Sequence, residues 1–260
     1  MPELSAAQFN LVYNMLSLAI AAMLGSFVFF VTAKGQLSPK YRPALIMSSL
    51  VVVIAGYHYW RIFNSWDAAY TLSEAGTYVA TGKPFNDAYR YVDWLLTVPL
   101  LVAELVAVLA LPRAQRNSLM AKLVLASAAM IALGYPGEVA AGSGGRVVWG
   151  LLSTAPFVYI LYVLWTQLGQ AAGKQDEQTS VLLRNTKLLL LATWGFYPIA
   201  YLMPLIGIAG SSALVSLQVG YSIADITAKC GYGVMIYHIA KAKMTAEEGE
   251  PADVRAVAHA

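Results

Sequence analysis

Seven apolar stretches, at about residues 9–33, 43–66, 86–111, 118–140, 146–170, 181–205 and 213–240, dominate this 260-residue chain. Each is close to the ~20 residues an α-helix needs to cross the hydrocarbon layer of a bilayer. Inside that layer a backbone must satisfy its own hydrogen bonds, which leaves helices or a closed barrel. The stretches are too long for barrel strands, so the chain is expected to be an all-α membrane protein, a seven-helix transmembrane bundle. Composition agrees: 12% of residues are charged and 58% hydrophobic, against about 25% charged in soluble domains. Pro99, Pro136 and Pro198 fall within the spans, where membrane helices tolerate proline.

Linkers between the spans are short, so one domain is expected over residues 1–244. The acidic, Ala-rich remainder, 245–260, lacks periodicity and reads as a disordered cytoplasmic tail. The longest connection, about 67–85, carries Thr71, Thr77, Tyr78, Val79 and Thr81-Gly82-Lys83-Pro84, the pattern of a short surface β-hairpin between the second and third helices. The N-terminus is acidic and has no basic leader, so no cleaved signal peptide is expected. The single cysteine, Cys230, excludes an intrachain disulfide and a cysteine metal site, and no metal is expected.

Loop charges orient the bundle. Lys34, Lys40, Arg42, Arg113, Arg116, Lys122, Lys174, Arg184, Lys187, Lys241 and Lys243 flank one side, while the opposite loops hold Lys83 and Arg146. The positive-inside rule places the N-terminus outside a cell membrane and the C-terminus in the cytoplasm.

A few charges remain within the spans. Lys229 follows Asp225 by four residues in the seventh, so the two share a helix face and each offsets the other. Either charge alone at membrane depth costs roughly 2.5–3.5 kcal/mol. Two readings of the pair are open: a structural ion pair, or a lysine that carries a carbonyl cofactor as an imine, with the aspartate as counterion. In the third span, Asp93, Thr97 and Glu104 form a row, with Arg90 one turn before Asp93. Eleven residues return a helix to within ~20° of its starting direction, so Asp93 and Glu104 share a face about 16 Å apart. Counting from the outer ends, Lys229 falls between outer Asp93 and inner Glu104, the layout of a proton relay with a central switchable base. His58, in the second span, lies at the depth of Asp93. It is either a helix-packing histidine or a partner that tunes Asp93. Trp94, Trp149, Trp194, Tyr197 and Pro198 could pack helices or line a slot for a long polyene.

Three motifs together resemble the microbial (type I) rhodopsins, seven-helix retinal proteins: Arg90-Tyr91-x-Asp93-Trp94-Leu95-x-Thr97-x-Pro99, Trp194-x-x-Tyr197-Pro198 and Asp225-x-x-x-Lys229. The resemblance covers roughly residues 8–244. It implies all-trans retinal bound to Lys229 as a protonated Schiff base, Asp93 and Asp225 as counterions, Asp93 as proton acceptor and Glu104 as donor. It also implies a retinal pocket of Trp94, Val98, Leu101, Met130, Gly134, Trp149, Ser153, Trp194, Tyr197 and Pro198. Asp93, Thr97 and Glu104 with His58 look like the outward proton pumps of proteorhodopsin type. The stretches 89–101, 133–138 and 188–201 resemble the xanthorhodopsin subgroup. There a glycine, matched by Gly150, leaves the retinal ring open to a carotenoid antenna.

The expected function is therefore a light-driven outward proton pump, an ion transporter rather than an enzyme. Its partners would be protons, membrane lipid, a carotenoid and further copies of itself in a homo-oligomer, with no nucleic acid. The rival classes are a retinal photosensor signalling through a partner and a light-gated channel. Glu104 argues against the sensor, which usually lacks a carboxyl donor in the third helix. The resemblance provides no match for a proton-release glutamate.

Overall fold

The computed structural model describes residues 1–140 and 142–249. Helices α1 (Ala6–Ala33), α2 (Arg42–Ala69), α3 (Tyr89–Val108), α4 (Arg113–Glu138) and α5 (Ser143–Ala172) are the first five spans. The sixth is divided into α6 (Glu177–Trp194) and α7 (Phe196–Leu202), and the seventh into α8 (Ser211–Asp225), a π-helical turn (Ile226–Gly231) and α9 (Tyr232–Gly249). Consecutive helices pack side by side, and α8 closes the ring against α1. The seven expected spans are thus present, with ends shifted by a few residues.

The interruptions have causes in the sequence. Pro198 has no N–H to give the Trp194 carbonyl, and the helix breaks there, between α6 and α7. The π turn contains Lys229 and inserts a wider loop of backbone where the seventh span carries its charges. The third span ends at Ala110, whose φ of 52° is left-handed, and Pro112 caps the start of α4.

The expected hairpin is β2 (Tyr70–Leu72) with β3 (Thr77–Ala80), paired Tyr70 to Ala80 and Leu72 to Tyr78. The structure adds a third strand, β1 (Leu4–Ser5), which pairs antiparallel on the far edge of β3. Phe9 stacks on Tyr78 at 3.8 Å between ring centres and also on Trp66, which holds this small sheet over the ends of α1 and α2.

The expectation of a disordered tail from 245 needs correction up to Gly249, because α9 continues to that residue. Glu247 is held there by Lys40 Nζ at 2.7 Å and by the Tyr41 hydroxyl. Residues 250–260 lie outside the described residues.

Candidate functional site

The π turn and α3 bring the bundle's central charges together. Lys229 Nζ donates to Asp225 Oδ1 at 2.6 Å and lies 3.2 Å from Asp93 Oδ2. All three side chains are at most 2% exposed. Asp225 is further held by the Tyr197 hydroxyl on Oδ1 at 2.6 Å and the Tyr59 hydroxyl on Oδ2 at 2.7 Å. These bonds matter because a buried charge that loses its partner costs about 3–5 kcal/mol. Thr97 Oγ1 donates to the Asp93 backbone carbonyl at 2.9 Å, locking its own rotamer within α3.

Toward the start of α3 from Lys229, the Arg90 guanidinium is buried between the rings of Tyr221 and Tyr59, 4.8 and 5.7 Å from their centres. Its ion-pair partner is Asp87, at 3.8 Å, rather than Asp93. On the other side of Lys229, Glu104 is fully buried and accepts from Ser48 Oγ on Oε2 at 2.5 Å. Tyr232, from α9, donates to the Leu101 carbonyl one turn before Glu104 at 3.2 Å.

His58 is buried, and its Nδ1 is 3.0 Å from the Ile54 carbonyl. A carbonyl only accepts, so Nδ1 carries the proton and Nε2 is left as an acceptor in the neutral ring. Among the described residues no hydrogen bond joins His58 to Asp93.

A cavity of about 250 Å³ extends from Lys229 between α3, α4, α5 and the sixth span. Trp94, Val98, Leu101, Met130, Gly134, Gly150, Ser153, Trp194, Tyr197 and Pro198 are among the residues that line it. Trp149 does not, and its assignment to the pocket is corrected. Its Cβ packs toward Gly137 of α4, 2.9 Å from where a Cβ on that glycine would stand. Ser153 Oγ donates to the Met130 carbonyl at 2.7 Å, tying α5 to α4 beside Gly134.

Gly150 also differs from expectation in one respect. It is not bare: the Tyr201 ring lies over it, so that a Cβ at 150 would stand 2.7 Å from that ring. Tyr201 is fixed by its hydroxyl on the Arg146 carbonyl at 2.7 Å and by the Arg146 guanidinium over its ring. Arg146 in turn pairs with Glu138 at 2.9 Å.

Sequence reasoning missed Tyr59, Ser48, Tyr201 and Tyr221. For two of them a signal existed. Ser48 and Tyr59 are eleven residues apart on α2, the same one-face spacing that links Asp93 and Glu104 on α3. Ser48 meets Glu104 on the neighbouring α3, and Tyr59 meets Asp225 on α8. The arrangement as a whole is an amine between two carboxylates at the foot of an apolar slot, with a further carboxyl group, Glu104, buried toward the end of α3.

A sequence model of the bacteriorhodopsin-like protein family matches residues 10–243. The green-light absorbing proteorhodopsin of Gamma-proteobacterium EBAC31A08 is 32% identical over 226 residues, covering 86% of this chain and 84% of that one. The bacteriorhodopsin of Halobacterium salinarum is 32% identical over 242 residues, 91% and 86% of the two chains. Among solved structures, xanthorhodopsin, described as a light-driven ion pump with dual chromophore, is 56% identical with a TM-score of 0.91, covering 96% of this chain and all of that one. A thermophilic rhodopsin is 54% identical with a TM-score of 0.92 and the same coverage. The chain belongs to the bacteriorhodopsin-like family, the microbial (type I) rhodopsins.

Proposed function

We propose that this chain is a light-driven pump that carries protons outward across a cell membrane, with retinal on Lys229. The observation that carries the reading is the Lys229 amine held between Asp93 and Asp225 at one end of an apolar slot. The slot fits the group. Its walls are aromatic and aliphatic, and its polar end presents a primary amine with counter-charges in place. Retinal, joined to that amine, supplies absorption of visible light and a change of shape that alters the surroundings of the proton on the nitrogen.

This chain's residues then do the transport. Asp225 is fixed by two tyrosine hydroxyls and serves as the standing counter-charge. Asp93 has no such hydroxyl on its carboxylate oxygens, and of the two aspartates it is the freer to accept a proton. His58, with Nε2 open as an acceptor, is the partner that would hold that proton in place. Glu104 is buried with one weak neutral donor, Ser48, and no cation. In this reading Glu104 is the group that returns a proton to the amine from the cytoplasmic side. The proteorhodopsin and xanthorhodopsin relatives support the same reading.

Loop charge sets the direction, with the N-terminus outside and the C-terminus cytoplasmic. Assembly as a homo-oligomer and a carotenoid beside Gly150 belong to the same proposal. The test is illumination of a weakly buffered suspension of cells expressing the chain with retinal. The medium should acidify, and a protonophore should abolish the change. An alkalinisation that the protonophore enlarges would mean another ion is moved, and no change at all would remove the pump reading.

A further inference from the structure

We propose that Asp87 is the group through which the transported proton leaves the protein. The inference rests on the proton-pump reading and supplies the release group that the family resemblance does not identify.

Outward from Lys229, several buried polar atoms lack a protein partner. They are Asp93 Oδ1, all three guanidinium nitrogens of Arg90, and Gln218 Oε1. Buried donors and acceptors in such number are satisfied by ordered water in folded proteins. These atoms therefore mark a hydrated polar seam that begins at the proposed proton acceptor. Its outer end is Asp87. Gln218 Nε2 donates to Asp87 Oδ2 at 3.1 Å, and Arg90 Nη1 is 3.8 Å from the same oxygen. Arg90 and Gln218 are almost fully buried, yet the Asp87 side chain is 48% exposed. The carboxylate thus touches the seam with one oxygen while reaching the outer surface.

Other candidates along the path fail on chemistry. Arg90 stays protonated in any protein and an amide cannot ionise, so Arg90 and Gln218 can pass a proton only by ordering water. Tyr59 and Tyr221 face the guanidinium, but as phenols they are weak acids and Tyr59 is committed to Asp225. Glu138 lies nearby on α4, where Arg146 holds it at 2.9 Å and the Tyr91 hydroxyl approaches at 3.5 Å. Among the described residues no hydrogen bond or ion pair joins it to Arg90 or Gln218. The chain's path fits too: Asp87 lies two residues before α3, and its carbonyl accepts from the Arg90 backbone N–H at 3.0 Å.

The step balances as a chain of O–H exchanges. Protonated Asp93 gives its proton to water in the seam and returns to carboxylate. Asp87 takes up a proton from that water at its inner oxygen, loses one to the medium, and returns to carboxylate. Nothing is oxidised or reduced.

The test is a single flash on purified retinal-loaded protein with a pH-indicating dye outside. The colour cycle is recorded at the same time. In Asp87→Asn the early colour changes should keep their native times. Appearance of the proton in the medium should be delayed on the order of a hundredfold, the low end of what a positioned proton-transfer group contributes. Asp87→Glu, which restores a carboxylate, should recover most of the native timing. Gln218→Leu, which leaves Asp87 in place but unheld, should give an intermediate delay. Proton release at the native time in Asp87→Asn would overturn the proposal, as would a delay confined to Glu138→Gln. Those results leave the pump itself standing. Only a native protein that moves no protons would remove both.

Discussion

Lys229 shows how much one residue can disclose and what it cannot. A lysine and an aspartate four residues apart in an apolar run already imply a neutralised pair, and the structure places them 2.6 Å apart. The sequence placed Asp93 on the outer side of Lys229, and in the structure its oxygen lies 3.2 Å from the amine. The hydroxyls were not legible. Tyrosines are common in membrane helices, and only the packing of α2 and α7 around the π turn selects Tyr59 and Tyr197 for Asp225. Two predictions belong at this scale. Lys229→Ala removes the one amine in the slot, so the protein should fold and remain colourless with retinal present. A visible band that survives hydroxylamine would contradict the assignment. Glu104→Gln keeps the shape and the Ser48 contact but has no acidic proton to give. Recovery of the resting colour after a flash should slow by roughly a hundredfold or more, and azide, a small diffusible acid, should restore it. Unchanged recovery would mean the site is reprotonated directly from water.

At the scale of elements, hydrophobic length was enough to locate every span, because the bilayer imposes it. The ends and the interruptions were less visible. Pro198 was visible as a proline, but its break between α6 and α7 follows from the Trp194 carbonyl it cannot serve. The π turn has no sequence signature at all, and β1 is too short to declare itself before β3 offers an edge. The start of α6 is a local matter. Asp176 is its N-cap, and the Thr179 backbone N–H donates to Oδ1 at 3.0 Å. The Thr179 hydroxyl beside it and that N–H hold the Asp176 carboxyl below its ordinary value. Because the folded pKa lies below the unfolded one, the unfolded chain binds the proton first as pH falls. The contribution is present above the unfolded value, near 3.9, and is lost as pH drops through the folded one. Asp176→Ala should therefore cost about 0.5–2 kcal/mol at neutral pH. The gap in thermal midpoint between the two proteins should narrow as pH falls below the ordinary carboxyl value. A gap that persists in acid would assign the effect to something other than the cap.

For the molecule as a whole, the outer surface of the bundle faces lipid, and the slot for the pigment reaches that surface. Leu151 lines the cavity and is 67% exposed, and Val147 and Leu202 also line it while facing outward. A glycine at 150 pointed to this opening, but not to what adjoins it. The Tyr201 ring lies close enough to Gly150 to occupy the place a side chain would take. A second polyene docking between α5 and the sixth span would therefore meet Tyr201 and the aliphatic rim, with the retinal ring just behind. In the proposed antenna, excitation would pass across that contact. Gly150→Trp should abolish it twice over, because the indole fills the opening and displaces Tyr201, whose ring would stand 2.7 Å from the new Cβ. The measurement is the action spectrum of pumping after hydroxylated or keto-carotenoids are added to the retinal-loaded protein. The native protein should show carotenoid bands beside the retinal band. Gly150→Trp should keep the retinal band and lose the others. If no carotenoid ever contributes to the native spectrum, Gly150 exists to admit the Tyr201 ring, and the slot serves retinal alone.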